Sequence, residues 1–304
     1  MLDTGRFRVF RAVALRGSFS AAARDLSFSR SAVSQQVAAL ERAAGTALFE
    51  RRPGGVALTP AGRVLLDHVD VVLARLRDAE TEIGELAAGN GGRLRVGSFQ
   101  TAATALMPEA VAAFKVEHPA VELSLAVLEP DEGLERVRIG ELDLALVFDF
   151  RLAPDSQSRD PAIERIELLA ERMSVALPAD HPAASNGVTT VRELAGEPWV
   201  EGSAGFCRRL LRRAGVHEPS FGFVSDDYLL IQGLVAARVA VSFLPGLAPA
   251  RPDIVVRSLD DGPTRHVEIA LRVGDARPRA TLRMIEILQA VAGRHRSKAA
   301  AGAA

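Results

Sequence analysis

On a helix that begins at Arg30, the stretch from Arg30 to Glu41 sorts its side chains by face. Val33, Val37 and Leu40 make one apolar stripe, and Arg30, Ser31, Ser34, Gln35 and Ala38 fall opposite it. The polar face carries the chemistry needed to read nucleic-acid bases. Arginine can fork onto guanine O6 and N7, glutamine can pair with adenine N6 and N7, and serine reaches phosphates or base edges at short range. Gln36 follows in the same run, and the small residues on this face let the helix backbone enter a groove. A plain solvated helix face is the competing explanation for this helix taken alone.

Catalytic chemistry is poorly represented. The two lysines, Lys115 and Lys298, leave no phosphate-binding loop of the G-x-x-x-x-G-K-[ST] type, and neither H-E-x-x-H nor G-x-S-x-G occurs. The six histidines, at 68, 118, 181, 217, 266 and 295, have no close metal-ligand spacing, so neither a metal nor a cofactor is expected. Cys207 is the single cysteine, which excludes an intramolecular disulfide framework. Arg208 and Arg209 beside it could lower its pKa, giving an oxidant-sensing alternative against that of a small core cysteine. An α/β enzyme with an N-terminal accessory domain is a further alternative, but it lacks its motifs. The N-terminal arginines interrupt every apolar stretch, and no run approaches the roughly 18 residues of a membrane span, so a cytoplasmic protein is expected.

The elements around the Arg30 helix complete a recognisable unit. Phe7, Phe10, Val13 and Ala14 recur at helical spacing, Gly17 ends that helix, and Ser18 caps an alanine-rich one. Ser27, Phe28 and Ser29 form a three-residue turn with Ser29 as the next N-cap, so the pair reads as helix-turn-helix. Pro53, Gly54 and Gly55 then join two short strands into a hairpin wing. Arg51 and Arg52 at its base can meet phosphates or a minor groove, or simply charge a strand edge. Residues 1–62 hold nine arginines against four acids, a net +5 inside a 304-residue chain whose formal net charge is −1. A basic head on an acidic body has the electrostatic layout of a phosphate-binding module joined to something else.

Thr59 and Pro60 start a long helix, an N-cap followed by proline at the first helical position. Along it Leu65, Val69, Val72, Leu76, Ala79, Ile83 and Leu86 are spaced 4-3-4-3-4-3. Such a stripe predicts a seam with the same helix of a second subunit, with packing on its own chain as the alternative. Gly89, Asn90, Gly91 and Gly92 then break the helix and mark a domain boundary. The expected division is 1–59 for the winged helix-turn-helix, 60–89 for the linker helix, 90–296 for a C-terminal domain and 297–304 for a disordered tail.

Residues 1–92 resemble the DNA-binding head and linker helix of the LysR-type transcriptional regulators. The resemblance rests on Phe10, Gly17 to Phe19, Ala21 to Ala23, Leu26, Ser34 to Val37, Leu40, Glu41, Gly45, Leu48 to Arg51 and Leu58 to Gly62. It implies an interrupted dyad operator with a T–A pair and a homo-oligomer, a dimer or tetramer, that meets RNA polymerase if it activates. Arg30-Ser31 stands where many members carry Gln-Pro or Gln-Ser, so no particular base is transferred to those positions. Ser18, Ser29, Arg30, Ser31, Ser34, Gln35, Gln36, Arg51 and Arg52 are the candidate DNA contacts.

From Arg93 strand and helix alternate, which predicts βαβ units on a mainly parallel sheet. The strands read as 94–99, 121–128, 142–148, 173–177, 199–200, 221–224, 239–244 and 267–272. Residues 93–295 resemble the effector-binding domain of the same family, built like a periplasmic binding protein with two hinge crossovers. Its tags include Leu94 to Gly97, Leu106 to Pro108, Gly140 to Leu146, Pro178 to Pro182, Pro198 to Val200 and Asp226 to Tyr228. The expected lobes are 93–165 with 266–296, and 166–265. A true solute-binding protein would need export and would lack the head.

Ligands in open α/β sheets sit beyond strand carboxyl ends, against helix N-termini. That rule selects Ser98, Phe99, Gln100 and Thr101, then Phe148 and Asp149, then Glu201, Gly202 and Ser203, and finally Asp226 and Asp227. Helix capping competes with ligand contact at Thr101, at Ser203 and at the aspartate pair. Acidic side chains around amide-rich helix ends suggest a small-molecule effector carrying both an amine and a carboxylate.

Overall fold

The computed structural model describes residues 2–88, 92–151, 160–185, 188–202, 205–273 and 277–302, and the chain divides into two compact units. The first comprises Met1–Gly92 and Glu135–Leu142. Its helices are α1 (Thr4–Arg16), α2 (Phe19–Asp25), α3 (Arg30–Ala44) and α4 (Pro60–Ala88), with the wing strands β1 (Phe49–Arg52) and β2 (Gly55–Leu58) between the last two. Each start is capped by a side chain, at Ser18, Ser29 and Thr59 as the sequence predicts. Asp3 accepts from the Gly5 amide, Ser18 from Ala21, Ser29 from Ala32 and Thr59 from Gly62. Gly17 and Gly45 end α1 and α3 in the left-handed conformation.

Two apolar clusters hold this unit. Val9, Val13, Ala22, Ala23, Val33 and Val37 join α1, α2 and α3, while Phe7, Phe10, Leu40, Leu48, Val69 and Leu73 join α1 and α3 to α4. Buried Asp70 on α4 accepts from Arg11 Nε at 2.8 Å and lies 3.3 Å from Arg138 Nη2, while Arg11 Nη2 reaches Glu141 at 2.9 Å. Two guanidinium groups thus offset a carboxylate that burial pushes toward its protonated form.

This packing corrects part of the expected seam. Val69 is fully buried and Leu65 packs against the same cluster, because the first turns of α4 complete the head's own core. Val72, Leu76 and Ile83 of the expected seam remain exposed, together with Val64 and Val71. The Leu86 side chain lies outside the described residues.

The second unit comprises Arg93–Leu134 and Asp143–Ala304. In chain order it contains β3 (Arg93–Ser98), α5 (Gln100–Ala105), α6 (Met107–Glu117), β4 (Glu122–Val127), α7 (Pro130–Arg138, its end belonging to the first unit), β5 (Leu144–Asp149) and β6 (Ile163–Arg172). There follow β7 (Ser174–Pro178), β8 (Val188–Thr189), β9 (Pro198–Glu201), α8 (Phe206–Arg213), β10 (Ser220–Val224) and α9 (Tyr228–Ala236). The last elements are β11 (Ser242–Leu244), β12 (Ile254–Leu259), β13 (Thr264–Arg272) and α10 (Arg279–Gly302). Lobe I is the five-stranded sheet β4-β3-β5-β13-β6, and lobe II holds the sheets β11-β7-β12-β8 and β10-β9.

The expected parallel sheet is only partly found. β3 runs parallel to β4 and β5, but β13 is antiparallel to β5 and β6, and β7 lies antiparallel to both its neighbours. β6 and β13 are the crossover strands, paired from Ile163–Arg272 to Arg172–Thr264. The chain therefore changes lobe at Met173, whose amide donates to Pro263 O at 2.9 Å, seven residues later than the expected boundary at 166. Nor does the chain leave its last helix at Ser297. α10 continues to Gly302, through alanines whose helix propensity is the highest of any residue.

Candidate functional site

In the first unit one concave surface is lined by Ser18, Arg30, Ser34, Arg51 and Arg52. Helix α3 supplies its floor: Val33, Val37 and Leu40 are buried, and Arg30, Ser31, Ser34 and Gln35 stand exposed. Gln36 is half-buried, turned partly toward the core. Ser18 and Ser29 use their hydroxyls as caps, and Ser31 shares a 2.9 Å hydrogen bond with Ser29. The wing supplies the rim. Arg51 and Arg52 are exposed, with Arg52 forked onto Glu50 of its own strand at 2.7 and 3.1 Å. Glu41 fixes the wing's entry by accepting from the Leu48 and Phe49 amides, and the Val56 amide donates to Gly17 O at 2.9 Å. An exposed donor and acceptor face beside a basic hairpin is thus held by buried apolar contacts and backbone hydrogen bonds.

In the second unit a cavity of about 80 Å³ lies between the lobes, lined by side chains of both. Of the sequence-predicted residues, Phe99, Gln100, Thr101, Phe148, Gly202 and Asp226 line it. Four others do not. Ser98 is buried beneath, bonded to Phe99 O, and Asp149 accepts the Arg151 amide. Glu201 is buried against the Arg208 amide and its Nε, at 3.2 and 3.4 Å, and Asp227 caps α9 by accepting from Leu229. Ser203 lies outside the described residues. Amides at the starts of α8 and α9 donate to Glu201 and Asp227, and a loop amide donates to Asp149, which removes most of the acidic rim expected around an amphoteric ligand.

The sequence reading missed the buried polar centre. Arg265 on β13 is 2% exposed; its Nε donates to Glu171 Oε1 at 2.7 Å and its Nη2 to Thr101 Oγ1 at 2.9 Å. Its guanidinium lies 5.0 Å from the ring centroids of both Phe99 and Phe148. Phe148 also meets Phe150 and Phe206, at 5.7 and 5.2 Å between centroids, so aromatic rings enclose one side of the cavity. Glu129 was equally unforeseen, although the strand-end rule, carried one residue past Leu128, selects it. Its pKa is raised to about 7, by burial first and then by Asp226 and Asp131, with Arg265 opposing.

A carboxyl so shifted destabilises the folded state once ionised: its contribution is intact below about pH 4.5 and is lost as pH rises through 7. The thermal midpoint of the ligand-free protein is therefore expected to fall between pH 5.5 and pH 8, and Glu129→Gln to flatten that portion of the profile. Equal slopes for both proteins would show that Glu129 is already ionised at the lower pH.

The lobes are bridged directly. Gln100 on α5 donates through Nε2 to Asp227 Oδ1 at 3.1 Å, and its Oε1 accepts from the Tyr228 amide at 3.0 Å. Burial pushes the Tyr228 phenol up to about 12, so it faces the cavity as a neutral hydroxyl. Cys207 lines the same cavity, but burial raises its thiol pKa, and Glu201 adds to the shift. Arg208, one of the two neighbours expected to activate it, is paired with Glu201, which works against the oxidant-sensing alternative. Among the described residues no group of three or more His, Cys, Asp or Glu could hold a metal ion, and no helix is long and apolar enough to cross a membrane.

Comparison with known proteins bears on both sites. A family model described as a bacterial regulatory helix-turn-helix protein, lysR family, matches residues 4–63, and one described as a LysR substrate binding domain matches 87–293. The small neutral protease regulatory protein of Streptomyces coelicolor is 33% identical over 86% of this chain and 79% of its own length. The transcriptional regulator TfdS of Cupriavidus pinatubonensis is 32% identical over 85% and 88%. Among solved structures, a full-length OxyR variant from Pseudomonas aeruginosa superposes with a TM-score of 0.65 at 25% identity, covering 96% of this chain and 95% of that one. With a helix-turn-helix whose reading face is exposed and a two-lobed domain enclosing a cavity, this chain belongs to the LysR family of DNA-binding transcriptional regulators.

Proposed function

We propose that two copies of this chain grip a two-fold operator, one α3 in each of two major-groove half-sites, and that a small molecule in the interlobe cavity tunes the complex. The observation that carries this reading is the concave surface that gathers Arg30, Ser34, Arg51 and Arg52 beside exposed Gln35. Arg30, Ser34 and Gln35 would meet base edges, Arg51 the flanking phosphates, and Arg52 would exchange Glu50 for a phosphate. The exposed α4 residues Val72, Leu76 and Ile83, flanked by Val64 and Val71, would form the subunit seam. Effector binding would shift the balance between open and closed lobes, and so the spacing or angle of the heads. The scheme needs no cofactor, operates in the cytoplasm, and includes RNA polymerase as a partner if the protein activates.

Footprinting on an operator fragment tests it. Two protected half-sites one or more helical turns apart are expected. Leu76→Glu is expected to give monomers in sedimentation and to weaken operator binding at least tenfold. A dimer unaffected by Leu76→Glu, or a single protected half-site, would overturn the arrangement.

A further inference from the structure

We propose that the interlobe cavity takes an uncharged molecule with a single aromatic ring, gripped between Phe99 and Phe148 of lobe I and Phe206 of lobe II. This ligand class rests on the proposal that the cavity is the effector site. Five of the chain's 13 phenylalanines line the cavity, with its single tyrosine, Tyr228, beside them. Leucine or methionine would close the junction by burial alone, so the arrangement of the rings carries the further information. Phe148 is the hub. Its ring meets Phe99 edge-on at 4.8 Å and 79°, Phe150 at 5.7 Å and 75°, and Phe206 at 5.2 Å and 48°. It packs against the core of lobe I and the core of lobe II at once. A ring inserted beside it would extend an edge-to-face array across the lobe boundary and hold the lobes through contacts that need no charge.

The charged groups of the wall are engaged within the protein. Arg265 is the one cation on it among the described residues, and it donates to Glu171 and Thr101. Glu171 also accepts the Leu247 amide at 2.8 Å, and Asp226 is likewise engaged within the protein. Gln100 uses both ends of its amide on Asp227 and the Tyr228 backbone. A carboxylate ligand would have to displace Glu171 from a buried guanidinium. An ammonium ligand would find in Glu129 a carboxyl half-protonated at pH 7 and already within the field of Arg265. An uncharged ring asks for neither, and a hydroxyl on it can still hydrogen bond to Glu129 or to the Tyr228 phenol. Size fits a small ligand. An apolar cavity of about 150 Å³ takes up benzene, so this one, at about 80 Å³, admits a ring as the lobes part slightly. The ligand would thereby set the distance between the lobes.

Calorimetry on the full-length protein at pH 7 tests this with phenol, cyclohexanol, benzoate and benzylamine, all of one ring. Phenol is expected to bind about tenfold or more tightly than benzoate or benzylamine, because either ion would give up its hydration to a wall whose charges are engaged or half-protonated. It is expected to bind about threefold or more tightly than cyclohexanol, through contacts between rings. Phe148→Leu and Phe206→Leu should each bring phenol down to the level of cyclohexanol. Benzoate or benzylamine binding as tightly as phenol, or no phenol binding at about 10 mM, would overturn an uncharged ligand, and cyclohexanol matching phenol would overturn an aromatic one. Cys207→Phe, which fills the cavity with a ring of the protein's own, should abolish phenol binding while Trp199 emission shows lobe II folded. Binding retained in a folded Cys207→Phe would put the phenol elsewhere and overturn the site. The effector role fails separately: saturating phenol that leaves operator affinity and the footprint unchanged would remove the cavity's regulatory role and leave its ligand class standing.

Discussion

Replacing Arg265 with methionine is expected to cost the two-lobed unit about 3–5 kcal/mol, the usual loss when one partner of a buried ion pair is removed. The methionine would keep the contacts with Phe99 and Phe148 but leave Glu171 facing Thr101 without a cation. Arg265→Lys would retain charge but lose the fork that serves Glu171 and Thr101 together, and should fall between the two. The double variant Arg265→Met with Glu171→Gln should recover much of the loss, since no unpaired charge then stays buried. Urea unfolding followed by Trp199 fluorescence reads all three, because Trp199 is fully buried in the lobe II core. A loss under about 1 kcal/mol for Arg265→Met would mean that the pair breaks even against apolar packing.

The second large effect falls on the head. Gly62→Ala is expected to destabilise the first unit by about 3 kcal/mol or more and to abolish DNA binding. A Cβ at position 62 would penetrate the Leu48 carbonyl oxygen and meet Leu58 Cδ2 at 2.9 Å. The Leu48 carbonyl cannot retreat, because it accepts from the Thr59 amide at 3.0 Å where the wing meets α4. Thr59 also ties that corner twice, through Ala47 O and the Gly62 amide. Gly293→Ala in α10, where an added Cβ meets nothing within 4 Å, is the control and should stabilise by roughly 1 kcal/mol. Full operator binding by Gly62→Ala would show that the corner relaxes, and that its glycine is not a packing requirement.

The contrast between these positions shows what was legible beforehand. Gly62 lies in the run Leu58 to Gly62 that carries the family resemblance, and the caps Ser18, Ser29 and Thr59 were readable because capping is local chemistry. Arg265 gave no signal. Its partner Glu171 is 94 residues away, and β6, where Glu171 sits, carries Glu164, Arg165, Glu167, Glu171 and Arg172, which hide its strand alternation. Those charges are satisfied across strands and lobes, as where Glu268 is bonded by Arg151 and Arg165. The hinge at Met173 was misplaced for the same reason. β12 was missed outright, a short strand whose neighbours β7 and β8 come from elsewhere in the sequence.

At the cavity, local rules found the backbone positions and misjudged the charges. Residues after β3 and β5 do line it, but Asp149, Glu201 and Asp227 were claimed first by nearby amides. Glu129 and Asp226 do line the interior, and which carboxylates do so depends on packing between distant segments. The first part of the α4 stripe failed in a related way: a heptad pattern shows that a face is buried, not whose core buries it. Leu65 and Val69 are covered by the head, while Val72, Leu76 and Ile83, with Val64 and Val71, stay exposed for a second subunit to cover.

The most direct test is fluorescence anisotropy of the full-length protein on the tightest duplex recovered by selection from a random pool, against a scrambled duplex, over a salt series. The selected site is expected to bind about 10³-fold or more tightly than the scramble, with log K falling steeply against log salt. Gln35→Ala should narrow that ratio, and Arg51→Ala should reduce the salt slope by about 1 with the ratio intact. Selection that yields no sequence better than the scramble, or binding insensitive to salt, would contradict sequence-specific DNA recognition by this head.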